Sequence, residues 1–376
     1  VNRRSFVAST LLCAASACLP ANAANAAAPA WPSGPAHVPA TPPPPNLAPW
    51  LESLLSDAAR APSSHNSQPW TLTLVSEKRW ALAIERSRRL ATVDPQDREA
   101  WISLGAFCAA LETSAAARGL RADLAGLDSA GDTAVIALSA RAPDSDWLAS
   151  LRARRCLRRN LRAVAVPPQL WQAAQARSPM ACRFFAFPSD EARLIAARTV
   201  EAEIVQQGMD AVWQELADWI RWSPAAERKT PSGLTPAGME LPLPVRLWVA
   251  AAYDRGDVVG VDFRLHSLQS CRRRVEEGAG WLVIATPTDD RSAWLEAGRA
   301  LQRVWLTATR LGLALHPMSQ ALEAPSLREQ LTRQLGLGQP QLLLRVGKPS
   351  RLLAPVSPRL APTQFARLQL QQEGAA

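Results

Sequence analysis

Ala61-Pro62-Ser63-Ser64-His65-Asn66-Ser67-Gln68-Pro69-Trp70 runs directly into the alternating stretch Trp70-Thr71-Leu72-Thr73-Leu74-Val75. Pro62 and Pro69 fix φ at either end. Between them Ser63, Ser64, Asn66, Ser67 and Gln68 offer short hydrogen-bonding side chains and free backbone N–H groups. A segment of this kind can follow the edge of a flat, polar ring, and the strand after it holds it rigid. Upstream, Leu51 to Arg60 reads as a helix.

A second signal is an internal echo. Trp101 lies four positions before Gly105, and an alanine-rich helix then runs to Gly119-Leu120; Trp294 and Gly298 repeat this ahead of Gly312-Leu313. In both copies the second glycine stands where a helix closes on a left-handed residue. This is the pattern of one chain carrying two copies of the same supersecondary unit. Strands are expected at 71–75, 80–84, 134–139, 183–187, 281–286, 313–316 and 342–346, and helices at 99–118, 190–207, 210–222 and 293–311. Asp94-Pro95-Gln96-Asp97-Arg98 reads as a structural cap with proline at the first helical position. The proline- and glycine-rich stretch 223–244 is too irregular for a helix and is either a lid or a surface excursion.

The N-terminus reads as a targeting segment. Asn2-Arg3-Arg4-Ser5-Phe6-Val7 resembles a twin-arginine export signal, with an apolar stretch from Val7 to Leu19 and small-residue sites at Ala21-Asn22-Ala23 and Ala24-Asn25-Ala26. Residues 1–26 are therefore expected to be removed, with the twin-arginine translocase as a partner during export and the periplasm as destination. The apolar stretch is too short for a mature transmembrane helix, and no later run is long and uncharged enough. Residues 27–48 are a proline- and alanine-rich linker.

The net charge of +9 and pI near 10 come almost entirely from scattered arginines, with Lys78, Lys229 and Lys348 the only lysines. That distribution argues against nucleic-acid binding and leaves room for a local arginine cluster holding one phosphate. Cys108, Cys156, Cys182 and Cys271 follow the signal, without a Cys-x-x-Cys pair, and a disulfide among them is possible. His65, His266 and His316 are too dispersed for a metal site, so no metal is expected.

The 61–70 run fills every fixed position of the Pro-Ser-Ser-x-Asn-x-Gln-Pro-Trp signature of the FMN-dependent nitroreductase superfamily, which it resembles. With the echo, the chain is similar along most of its length to tandem members of that superfamily described as flavin-sequestering. The resemblance implies an α+β, nitroreductase-like fold of two related lobes, each a mainly antiparallel sheet flanked by helices, forming an intramolecular pseudo-dimer. The lobes would be residues 49–145 and 146–365, followed by a flexible tail at 366–376.

FMN is then the implied cofactor, and each part of it needs its own residue type. Pro62, Ser63, Ser64, Asn66 and Gln68 would follow the ring. Arg154-Arg155-Cys156-Leu157-Arg158 is similar to the family's Arg-x-Ser-x-Lys/Arg motif, which puts Arg154 at the phosphate and Arg158 at the carbonyl edge. Cys156 replaces the serine, a weaker donor. Pro317, Met318 and Ser319 occupy the turn whose backbone N–H approaches flavin N5, and Gln320 stands where glycine is common. Arg359 in Pro355-Val-Ser357-Pro-Arg359-Leu360 resembles the C-terminal element that closes on the phosphate, with Arg351 competing for that role.

No side chain is expected to act as nucleophile or general base. The leading functional expectation is two-electron transfer through FMN from a small-molecule donor to an electron-poor acceptor, a nitroaromatic or quinone. Its alternative is a flavin-storage protein with little turnover, and a weaker third is a solute-binding module without flavin.

Overall fold

The computed structural model describes residues 47–175 and 180–369. The expected signal and nearly all of the linker lie outside the described residues, as do residues 370–376.

Among the described residues two sheets are built from ten strands. β1 (Trp70–Ser76), β2 (Arg79–Ile84), β3 (Leu120–Leu127) and β4 (Thr133–Ala140) form the first sheet. β5 (Leu161–Arg162), β6 (Ala181–Ala186), β7 (Gly280–Thr286), β8 (Ala314–Pro317) and β9 (Gln339–Pro349) form the second, in the order β5-β9-β7-β6 with β8 also on β9. β10 (Ala366–Leu368) returns to the first sheet, giving the order β10-β1-β2-β4-β3. All named pairings are antiparallel except β1 with β10. The residues from Ala366 expected to begin a flexible tail therefore start with an edge strand, because Leu72↔Ala366 and Leu74↔Leu368 satisfy β1's free side.

The two sheets differ in patterning for a physical reason. Trp70, Leu72 and Leu74 of β1 are buried while Thr71 and Thr73 are half-buried, the alternation of a sheet covered on one face. Every residue of β7 is buried: Leu282 and Ile284 pack into the main core and Trp281 and Val283 into a second core on the opposite face. A sheet covered on both sides reads as an uninterrupted apolar run.

The main core is continuous from the first sheet to the second through two helices, Arg98–Ala116 and Arg291–Arg310. These are the echoed helices, and they cross at their glycines. A Cβ on Gly105 would lie 1.9 Å from the carbonyl oxygen of Leu295, and one on Gly298 would lie 1.9 Å from that of Ile102. Only glycine allows backbones to approach so closely. Gly119 and Gly312 close the respective helical segments with φ of 75° and 66°.

Two local expectations need correction. Pro95 does not begin a helix: Asp97, itself left-handed at φ 60°, precedes the first helical residue Arg98, and Asp94 caps from outside by accepting from the Ala100 N–H at 2.9 Å. The 223–244 stretch contains a short helix, Pro224–Lys229, capped by Ser223 accepting from the Ala226 N–H. Helices at Leu243–Ala252, Val261–Arg274 and Pro325–Leu335 are additional to those expected, the last burying Leu327, Leu331 and Leu335 at helical spacing and closing on left-handed Gly336. The four cysteines are free thiols. Among the described residues no helix is long and apolar enough to cross a membrane.

Candidate functional site

The 61–70 loop is held in an unusual backbone. His65, Asn66 and Gln68 have φ of 51°, 53° and 53°, three of the six left-handed non-glycine residues among those described. Such residues persist only where surrounding bonds over-determine them. The Gln68 N–H donates to Ser63 Oγ at 3.0 Å, and Arg88 Nε donates to the Gln68 carbonyl at 2.8 Å. Asn66 Nδ2 donates to the carbonyls of Gly233 and Pro358, both at 3.1 Å. Gln68, fully buried, donates to the Pro231 carbonyl at 2.9 Å and accepts from the Leu360 N–H at 2.9 Å. The loop thus ties together the 223–244 stretch, 163 to 167 positions downstream, and the C-terminal segment, 292 positions downstream.

A cavity of about 300 Å³ opens beside this junction. Ten of the twelve residues expected at the site line it: Pro62, Ser63, Ser64 and Asn66 from the loop, Arg154, Cys156 and Arg158 from the basic motif, Pro317 and Ser319 from the β8 turn, and Arg359. Two do not. Gln68 serves as the tie just described, and Met318 is buried in the second core with its N–H donated to the Leu343 carbonyl at 2.9 Å. Gln320 lines the wall, but its amide turns back toward Glu203 Oε2 at 3.4 Å and Cys271 Sγ at 3.7 Å rather than standing across the space. The 223–244 stretch covers the cavity with Gly233, Leu234, Thr235 and Gly238. It is anchored there by Arg155 Nη2 donating to the Ala237 carbonyl at 3.1 Å and by Glu240 accepting from the Arg158 N–H at 3.1 Å.

One end of the cavity is strongly cationic. Arg154 Nη2 donates to the Arg60 carbonyl at 2.5 Å, and the guanidinium stacks 4.7 Å from the Trp305 ring. Arg359 Nη1 donates to Asn66 Oδ1 at 2.6 Å and to the Pro358 carbonyl at 2.9 Å. Among the described residues neither guanidinium has a carboxylate at ion-pair distance, and the Nε of each is buried without a partner. Burial pushes Arg359 down to about 9, helped by Arg154 and Arg60, and Arg154 down to about 10. Two buried cations without counter-charges form a site that an anion would relieve. Arg351, the competitor for Arg359's role, is exposed and outside the cavity.

Arg158 sits farther along the wall, its Nη1 3.3 Å from His316 Nε2, while Arg345 Nη2 lies 3.0 Å from His316 Nδ1. Burial, then Arg345, Arg158 and Arg274, hold His316 well below its ordinary pKa, so the ring is neutral between the two guanidiniums. The site also contains residues with no sequence signal: Trp305, which stacks on Arg154, and the acids Glu99 and Glu323. Only the tertiary fold brings these to the loop.

The nitroreductase family model matches residues 161–348. A provisionally named NAD(P)H nitroreductase of Mycobacterium tuberculosis is 29% identical over 309 residues, covering 79% of this chain and 84% of that protein. A similarly named protein of Serratia sp. is 24% identical over 318 residues, covering 79% and 88%. Among solved structures, a nitroreductase with bound FMN from Desulfitobacterium hafniense covers 56% of this chain and 93% of its own, at 17% identity and a TM-score of 0.32. The FMN-dependent nitroreductase of Mycobacterium smegmatis in complex with NADPH covers 58% and 95%, at 15% identity and a TM-score of 0.36.

Proposed function

The chain belongs to the nitroreductase family, and from that premise we propose that it is an FMN-dependent oxidoreductase whose flavin lies in the cavity between the 61–70 loop, the basic motif and the C-terminal segment. The convergence of ten residues from four distant segments on one cavity carries this reading. The donor chemistry fits: two buried, acid-free guanidiniums suit a phosphate dianion, and Ser63, Ser64 and Pro62 offer a polar edge to a flat ring.

Bound FMN would supply two-electron chemistry, accepting from a small-molecule donor and passing on to an electron-poor acceptor such as a nitroaromatic or quinone. Arg154 and Arg359 bind and orient, Arg158 places positive charge on the wall toward the β8 turn, and the 223–244 stretch excludes water. NAD(P)H, in the names of the M. tuberculosis and Serratia relatives, is the first donor to try. The reciprocal glycine crossing supports a tandem pseudo-dimer within one chain, with one lobe at residues 49–145 and the other at 146–365. Export by the twin-arginine route to the periplasm is part of the proposal and rests on residues 1–26 alone. A periplasmic enzyme would need a donor other than cytosolic NAD(P)H.

A storage role is the second reading, favoured by the anchored cover over the cavity. Gln320 lends it no support, because its amide is engaged elsewhere. Purified protein with a flavin spectrum supports both readings, and colourless protein after FMN loading and desalting rejects both. Anaerobic bleaching by NAD(P)H or a chemical reductant, then reoxidation by a nitro compound on a turnover timescale, separates the enzyme from the store.

A further inference from the structure

The cavity has an acidic wall besides the residues assigned to the flavin. Glu99 and Glu323 both line it beside the Pro317–Gln320 turn. Glu99 is fully partnered: Arg98 Nη2 lies 3.1 Å from Oε1, and the Ser64 hydroxyl donates to Oε2. Glu323 is not. Gln206 Nε2 donates to its Oε2 at 2.8 Å, and among the described residues no cation stands within ion-pair distance of it. A single helical turn at Gln320–Leu322, closed by the Glu323 N–H donating to the Gln320 carbonyl at 3.1 Å, carries this carboxyl to the wall.

Three acids, Asp94, Glu99 and Glu323, face one guanidinium, that of Arg98. One positive charge cannot match three carboxylates, so the buried acids Glu323 and Asp94 hold their protons to higher pH. Burial, then Glu99 and Asp94, push Glu323 up to about 8, against the opposing effects of Arg98 and the Gln206 bond. Asp94 is raised too, by burial and Glu99, but it lies behind the wall and accepts from the helix start. His65 also lines the cavity with Nδ1 unpartnered, yet burial lowers its pKa, so it is a neutral imidazole rather than the imidazolium that would serve as an acid.

We propose that Glu323 is the proton donor of this site, passing one proton from its carboxyl to an oxygen of the acceptor bound beside it. The proposal rests on the flavin reading above and deepens it. A quinone that takes a hydride equivalent from reduced flavin needs one proton to become the hydroquinone; a nitro group needs one to become nitroso plus water. The Glu323 O–H bond breaks, the acceptor O–H bond forms, and solvent later reprotonates the carboxylate. General acid catalysis of this kind needs a group protonated at the working pH and within reach of the reacting atom.

Two measurements test it. In flavin-free protein, infrared difference spectra should show a protonated-carboxyl band that fades as pH rises through about 8 and is missing from Glu323→Gln. Absence of that band from the parent at neutral pH overturns the proposal. In flavin-loaded protein reduced with dithionite, reoxidation by a quinone is compared with reoxidation by ferricyanide, which takes electrons without protons. The quinone-to-ferricyanide rate ratio should fall about 100-fold in Glu323→Gln, and in the parent it should fall as pH rises. The parent profile needs no variant, so a poorly folding Glu323→Gln does not rescue the idea. Retained flavin with an unchanged ratio overturns the proposal alone, whereas failure to retain flavin overturns the flavin reading and the proposal with it.

Discussion

Gly105 and Gly298 are related by exchange: Gly105 presses on the carbonyl of Leu295, the residue after Trp294, and Gly298 on the carbonyl of Ile102, the residue after Trp101, each with a Cβ-to-oxygen distance of 1.9 Å if a Cβ were present. Contacts of the form i to j and j to i are what a two-fold axis generates, here within a single chain. Because this crossing joins the first sheet to the second through one core, the spacing of the two helices also sets the distance between the 61–70 loop and the β8 turn.

Gly105→Ala and Gly298→Ala should each force the helices apart and cost about 1–3 kcal/mol. The double variant should cost less than the sum, since one separation makes room for both methyl groups. Denaturant titration of the four proteins checks this, and strict additivity would contradict it.

Replacing Arg154 or Arg359 with methionine removes a buried cation that no carboxylate balances. The apoprotein should be no less stable, while the preference for FMN over riboflavin, which lacks the phosphate, should drop at least tenfold. Titration of both ligands by flavin fluorescence quenching reads the preference. Arg351→Met should leave it unchanged, being exposed and outside the cavity.

Retention of FMN should follow a bell in pH. Below about 6 the phosphate loses its second charge. Above about 9 Arg359 begins to lose its proton. The linkage for the apoprotein has a definite sign. Arg359 has a folded pKa below its unfolded value, so the unfolded chain binds the proton more tightly and folding stability rises as pH passes upward through about 9. Dissociation constants across pH, and apoprotein melting on either side of that value, check both statements.

Gln68→Leu should leave the Leu360 N–H and the Pro231 carbonyl without their partner and cost about 1–3 kcal/mol. Hydrogen exchange should accelerate at 358–361 and 231–234 more than in β1, which keeps its own ladder. Uniform acceleration would mean that the side chain supports the fold generally and does not tie these two segments.

One flavin per chain is expected. In the echo register Trp305, which stacks on Arg154, corresponds to Glu112, an acid paired with Arg299 at 2.7 Å, and such a residue would repel a phosphate. Flavin released from denatured protein, measured against chain concentration, should approach one equivalent; two would contradict the asymmetry.

Much of this was legible in the residues themselves. The helix 190–207 is legible to the residue, since its Ser189 cap and Gly208 stop are local chemistry. The left-handed closures at Gly119 and Gly312 and most strands follow from periodicity and glycine placement in the same way. β10 and the helix 261–274 were not legible, because the first is only three residues that need β1 beside them and the second carries its apolar positions without a clear stripe.

What the sequence by itself determined was the loop, the repeated helix and the arginines that could hold a phosphate, for each of these is written in neighbouring residues. Only the tertiary structure decided that Arg359 and not Arg351 enters the cavity, that Gln68 and Met318 stay out of it, and that Glu323 comes to stand beside Glu99. Those outcomes depend on which distant segments satisfy the hydrogen bonds of Asn66 and Gln68 and on how closely two glycines let their helices approach, and no local pattern contains that information.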